Sequence, residues 1–288
     1  MRVTGEQETT STDARRIGYR VSMPLAVLCL GLLSSPVQAQ EAESIESPFN
    51  DHVRVTAALL SATADTELRL DADDGTRGTP VSAEDDLGLA DRGEFADIEA
   101  EVRIRERHFV RFNYFRLDRS ATTTLARDIQ FGNDLFEAGD EVESTLDLRE
   151  FTATYAYRFL RKPRFELYGS FGIHLTEMIA EGRVRARNLR EEEHEVAPLP
   201  ALGLGVEVSF TDRIFASVFV DYLKVDINDV EGEILDGRLT ALYRFTRNLS
   251  AGLGYFLLER NVDSFDLDDS GHFKLTDSGA ELFLRMSF

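Results

Sequence analysis

Ala280–Phe288, AELFLRMSF, ends the chain, and its reading decides the fold. Ala280, Leu282, Leu284, Met286 and Phe288 fall on one parity. Glu281, Arg285 and Ser287 fall on the other, where Phe283 is the one large apolar residue. A period of two is that of a β-strand with one apolar and one polar face.

The same alternation recurs upstream. Ala96, Ile98, Ala100, Val102 and Ile104 interleave with Asp97, Glu99, Glu101, Arg103 and Arg105. Val110, Phe112 and Tyr114 oppose Arg111 and Asn113, and a parity change at Phe115 and Leu117 predicts a bulge. Phe151 to Phe159 carries Arg158 on its polar row. Phe165 to Leu175 carries Glu166, Ser170 and His174 on its own. Further strands run through Leu202–Phe210 with Glu207, Ile214–Tyr222 with Asp221, Leu235–Phe245 with Arg238 and Arg244, and Leu249–Leu257. With a first strand from Val53, this predicts ten strands; eight is the alternative, because the first and fourth are blurred.

Connections alternate in length. Short turns are predicted at Glu106-Arg107, Arg161–Pro163, Thr211–Arg213 and Thr246–Asn248. Longer loops are predicted at 71–92, 119–141, 181–197 and 261–271, the first and last of them acidic, with a short loop at 228–232 the shortest of the set. That rhythm predicts an all-β, up-and-down antiparallel transmembrane β-barrel, with short turns on one side of the membrane and long loops on the other. A soluble sandwich or ligand-binding calyx has the same period with its faces reversed.

At the amino terminus, Arg15, Arg16 and Arg20 precede the apolar run Pro24–Leu33 and a Val37-Gln38-Ala39 site. This pattern predicts a secretory signal peptide over 1–39, a short periplasmic lead-in over 40–52, and the barrel over 53–288. The one cysteine, Cys29, falls inside the leader, so the mature chain is expected to lack disulfides and Cys-based metal sites. A formal net charge of −20 argues against general nucleic-acid binding, which needs clustered Lys and Arg.

The rhythm over 53–288 and the terminal aromatic resemble small Gram-negative outer-membrane β-barrels of the OmpA/OmpW-like kind. The resemblance implies an outer-membrane location and partnership with outer-membrane lipid and lipopolysaccharide. It also implies that Phe288 is the signal read by the barrel-assembly machinery. It transfers fold better than function.

If the apolar rows meet lipid, the lumen holds Asp97, Glu99, Glu101, Arg103, Arg105, Arg111, Arg158, Glu166, Glu207, Asp221, Arg238, Arg244, Glu281 and Arg285. A ten-strand bore is narrow, so these residues are expected to pair across it and fill it. The expected role is then structural or at the surface, with a narrow pore for small solutes as the alternative. A surface hydrolase is the third reading. Its candidates are His52 and His108 on the periplasmic side, His174 in the lumen, and His194 and His272 near the outer loops. No motif fixes their geometry, so no catalytic residue, metal or cofactor is assigned. Asp266, Asp268, Ser270, Gly271 and Asp277 have a calcium-loop-like spacing, but the flanks are strand-like and an acidic hairpin loop accounts for them. Oligomeric state is not legible.

Overall fold

The computed structural model describes the backbone of residues 48–184, 189–227, 230–264 and 270–288, and all of their side chains except those of 48, 189–197, 227 and 230. The predicted leader with Cys29, and most of the lead-in, lie outside the described residues, as do Asp266 and Asp268 and the side chain of His194.

Ten long strands form an antiparallel barrel: β1 (Val53–Leu70), β3 (Arg92–Arg105), β4 (His108–Thr124), β7 (Glu141–Lys162), β8 (Phe165–Val184), β9 (Leu189–Ser209), β10 (Ile214–Ile227), β11 (Val230–Arg244), β12 (Leu249–Ser264) and β13 (Gly271–Ser287). Each pairs with its sequence neighbour, and β13 pairs with β1 from Arg54↔Ser287 to Leu70↔Gly271, which closes the cylinder. Short β2 (Val81–Ser82) adds to the upper end of β1, and β5 (Ile129–Phe131) with β6 (Asp134–Phe136) forms a separate hairpin. Closure removes every long sheet edge, as a hydrocarbon environment demands.

The strands run further than expected. Residues 181–184 continue β8, and 189–197 already belong to β9, so much of the expected third loop is ladder. Of the expected fourth loop, 230–232 belong to β11, and Ile227 pairs with Val230. The fifth shortens to the interval between Ser264 and Gly271. At 22 residues, β7 is about twice the roughly 9–11 that cross a bilayer.

The surplus length has its own chemistry. On the outer face of β1, Val55, Ala57 and Leu59 give way to Ser61, Thr63, Asp65 and Glu67. On β7 the outward row changes from Phe159, Tyr157, Tyr155 and Phe151 to Arg149, Asp147, Thr145 and Glu143. The inner face changes in the opposite sense. Arg54 and Thr56 are followed inward by Ala58, Leu60, Ala62 and Ala64, and Thr152 and Glu150 by Leu148 and Leu146. The lower barrel therefore faces lipid with apolar side chains, and the upper barrel stands in water around an apolar core.

This inversion corrects the predicted bulge. β4 pairs with β7 without a register break from His108 to Thr124; Phe115 and Leu117 simply point inward, where they are buried. Phe283, the exception in the closing strand, does the same and is 3% exposed. The register breaks lie instead beside periplasmic turns, between Arg103 and Arg105 and between Arg158 and Leu160.

Candidate functional site: the lumen and its extracellular cap

The lumen is built from the inward rows, and its lower part is a stack of cations and rings. Arg54 contacts Glu207 at 3.1 Å and Glu101 at 3.4 Å. Arg158, fully buried, reaches Glu166 at 2.6 Å and Glu101 at 3.1 Å, and lies 4.1 Å over the Phe109 ring. Arg111 contacts Glu101 at 3.2 Å and Glu99 at 3.5 Å, and sits 5.0 Å over Phe219. Tyr168 fills the adjacent space. This depends on Gly205: a Cβ there would overlap the Tyr168 ring. From the periplasmic end, Phe49 is buried against Phe215 with ring centroids 6.3 Å apart, and Asp51 reaches Arg244 at 2.8 Å. The last residues of the lead-in are thus tied into the barrel mouth.

Above this layer, Arg238 bridges Asp97 at 3.0 Å and Glu281 at 3.5 Å, with Arg285 at 4.0 Å from Glu99. A second knot lies higher. Arg260 is 1% exposed and donates to Glu150 at 2.7 Å and to Asp236 at 2.6 Å. His174 Nδ1 lies 2.9 Å from Glu150 and 3.1 Å from Thr152 Oγ1. Glu150, His174 and Asp236 are close enough to share a metal ion. The Arg260 guanidinium contacts all three, however, and takes the place a cation would occupy. Between these groups remains a cavity of about 120 Å³, room for about four waters at roughly 30 Å³ each.

The candidate lumen residues are brought together with one exception. Arg105 is exposed beyond the register break at the periplasmic edge and is not part of the lumen. Arg103 faces inward, but its Nε and Nη2 have no hydrogen-bond partner among the described residues. Asp221 meets Ser170 at 3.3 Å. Four central members escaped the sequence reading. Arg54 and Asp236 stand on polar rows already recognised, so parity alone would have added them. Glu150 precedes the first clear alternation of its strand, and Arg260 sits at the edge of an expected loop.

The cap closes the extracellular end. The 71–91 loop folds back so that Ala83 and Leu89 are buried in one cluster with Leu60, Phe95, Phe115, Leu148 and Phe256. Glu84 accepts from the Thr66 backbone N–H at 2.9 Å and pairs with buried Arg119. Gly88 has φ +71°, a left-handed turn that glycine adopts without strain. The β5–β6 hairpin packs alongside. Arg127 holds Asp86 at 2.8 Å, and Asn133 exchanges hydrogen bonds with Asp73.

Arg127 also holds the Asp86 carboxyl below its ordinary range. A depressed carboxyl stabilises the cap above its unfolded pKa, and the contribution is lost as pH falls through the folded value. Protection of the Gln130 and Gly132 amides from exchange, taken relative to the intrinsic rate at each pH, is therefore expected to fall below about pH 3.8, and Asp86→Asn is expected to show no such step.

The histidines divide clearly. In a Ser-His-Asp arrangement the two ring nitrogens serve different partners. His174 instead meets Thr152, Glu150 and Arg260 through Nδ1 alone, and Nε2 has no partner among the described residues. Ser170 is four residues away on the same strand, roughly 13 Å at the usual rise. His272 pairs with Asp263 at 2.7 Å on the outer surface of the upper barrel. His108 bonds the Tyr155 hydroxyl at 2.6 Å near a periplasmic turn, and His52 donates its backbone N–H to the Phe288 carbonyl. The calcium-like spacing does not make a ligand loop: Asp277 lies well down β13 with its side chain buried inside.

Phe288 is tied by its backbone to Val53, and its side chain is 62% exposed. Phe159, Phe210, Tyr243 and Phe245 share that exposure beside the short turns, as a lower aromatic girdle requires.

Comparison with known proteins agrees with this geometry. The fold is similar to that of the outer membrane protease OmpT from Escherichia coli, with a TM-score of 0.53 and 9% identity over 83% of this chain and 97% of that one. Two others align with low scores. They are Ail, the attachment invasion locus protein of Yersinia pestis (0.34, 10% identity, 81% and 99% coverage), and a FadL homologue of Pseudomonas aeruginosa (0.36, 9% identity, 84% and 91% coverage). No curated protein matches the sequence. A family model described as outer membrane protein beta-barrel domain matches residues 25–256. The chain belongs to that family, and it is a β-barrel of the bacterial outer membrane.

Proposed function

We propose that this protein is a closed, non-enzymatic surface barrel, a rigid base that holds structured extracellular loops. One observation carries the reading: the bore is crossed by direct ion pairs and then sealed by an apolar layer into which the 71–91 loop inserts. An ion crossing that layer would lose its hydration without gaining polar partners. In this reading the charge network is a filler of the lumen, Phe288 is the mark for the assembly machinery, and lipopolysaccharide is the surrounding lipid.

The full barrel in planar bilayers is expected to be electrically silent. Steady single-channel steps from the unaltered protein would favour the narrow-pore reading, which rests on the cavity between the charge layers. The likeness to OmpT concerns the fold. His272 and Asp263 are the pair a surface hydrolase would need, so any peptidase or lipid A hydrolase activity that His272→Ala abolishes would replace the non-enzymatic reading.

A further inference from the structure

The periplasmic rim of the barrel has a charge opposite to that of the chain. Acidic residues outnumber basic ones 52 to 32 overall, yet each of the four short turns carries an exposed arginine: Arg107, Arg164, Arg213 and Arg247. Exposed Arg105 and Lys162 join them, against the exposed carboxylates of Glu106 and Asp212.

Three of these arginines share one arrangement. Arg107 reaches the Phe159 carbonyl at 3.5 Å, Arg164 donates to the Phe210 carbonyl at 3.0 Å, and Arg213 donates to the Tyr243 hydroxyl at 3.3 Å. Each contact runs through a single Nη1 to an aromatic residue at the foot of the next hairpin, and each of those rings is exposed. A carbonyl or a phenol fixes a guanidinium without neutralising it. No carboxylate pairs with any of the three among the described residues.

Aromatic belts lie at the level of the lipid headgroups, so a guanidinium one contact away lies there too. With one Nη engaged, its remaining N–H groups still match the oxygens of a phosphate. Adjacent turns are two strands, roughly 10 Å, apart, so the three seats are separate. We propose that this rim binds acidic phospholipids of the phosphatidylglycerol class, with Arg107, Arg164 and Arg213 each seating one headgroup phosphate and Phe159, Phe210 and Tyr243 lying along the acyl chains. A zwitterionic headgroup would bring its own ammonium into a rim already rich in cations; a net-negative headgroup does not. An acidic polypeptide would answer the charges but not the exposed rings at the edge of the apolar belt.

The test is native mass spectrometry of the folded barrel in non-ionic detergent, titrated with phosphatidylglycerol or with phosphatidylcholine of the same chains. Up to three phosphatidylglycerol molecules are expected to bind, each about fivefold more tightly than phosphatidylcholine. The joint change Arg107→Gln, Arg164→Gln, Arg213→Gln is expected to abolish the preference, and lysine at the same positions to keep part of it. Arg92→Gln, Lys224→Gln, Lys274→Gln removes three exposed cations from the upper barrel and is expected to leave the preference unchanged. Gel mobility, unheated against boiled, verifies that each variant is folded. Equal affinity for the two lipids in the unaltered protein would overturn the proposal, as would a preference that survives the glutamine variant. Displacement of phosphatidylglycerol by an equal concentration of pentaglutamate would overturn it as well and assign the rim to an acidic polypeptide. None of these results depends on whether the barrel conducts.

Discussion

Replacing Arg260 with methionine is expected to destabilise the barrel by about 3–5 kcal/mol, because it leaves two carboxylates facing each other with their cation removed. Glu150 is 2% exposed, and its two oxygens receive the Arg260 guanidinium at 2.7 and 3.0 Å. Asp236 accepts from the same group at 2.6 and 3.0 Å. Methionine fills similar volume without charge, so the loss is electrostatic and only slightly steric. The triple change Arg260→Met, Glu150→Gln, Asp236→Asn removes the charges together and is expected to recover most of the loss. Urea titration of the refolded barrel, read by its gel mobility unheated against boiled, measures both. Equal stability of Arg260→Met and the unaltered protein would remove this knot from the list of what holds the lumen shut.

The second large effect separates the two halves of the wall. Leu253 is 66% exposed on the lipid face of β12, and Ser120 is exposed on the outer face of β4, above the apolar belt. Arginine at Leu253 is expected to cost about 2–4 kcal/mol, the charge standing near the bilayer midplane. Arginine at Ser120 is expected to be nearly neutral, since that face is already wet and neighbours Asp118. In a water-soluble barrel with this same outward row exposed to solvent, both changes would be nearly neutral. The comparison therefore tests the membrane assignment through energetics, separately from any fractionation.

Much of this architecture was legible because a strand's period is two and a membrane barrel reads it with fixed sign. Ala96–Ile104 and Phe165–Leu175 show the alternation plainly, and their faces in the structure are those that parity implies. What parity could not supply was the place where the sign reverses. Phe115, Leu117 and Phe283 look like errors in a pattern that assumes lipid outside at every level. They become regular once the upper barrel is surrounded by water. The same assumption made 181–197 and 261–271 look like loops. The backbone ladder continues through 181–184, 189–197 and 261–264. Arg260 was hidden for that reason.

Oxygen and nickel-chelate accessibility along the outward row of β7 tests the central claim most directly. Single cysteines at Glu143, Thr145, Asp147, Arg149, Phe151, Ala153, Tyr155 and Tyr157 are spin-labelled in a chain begun after residue 39, which carries no other thiol. The labels from Phe151 to Tyr157 are expected to collide with oxygen and to be shielded from the chelate. The crossover is expected between Phe151 and Arg149, with labels up to Glu143 open to the chelate. Oxygen accessibility sustained through Glu143, or chelate accessibility sustained through Tyr157, would contradict a barrel that spans the membrane below and stands clear of it above.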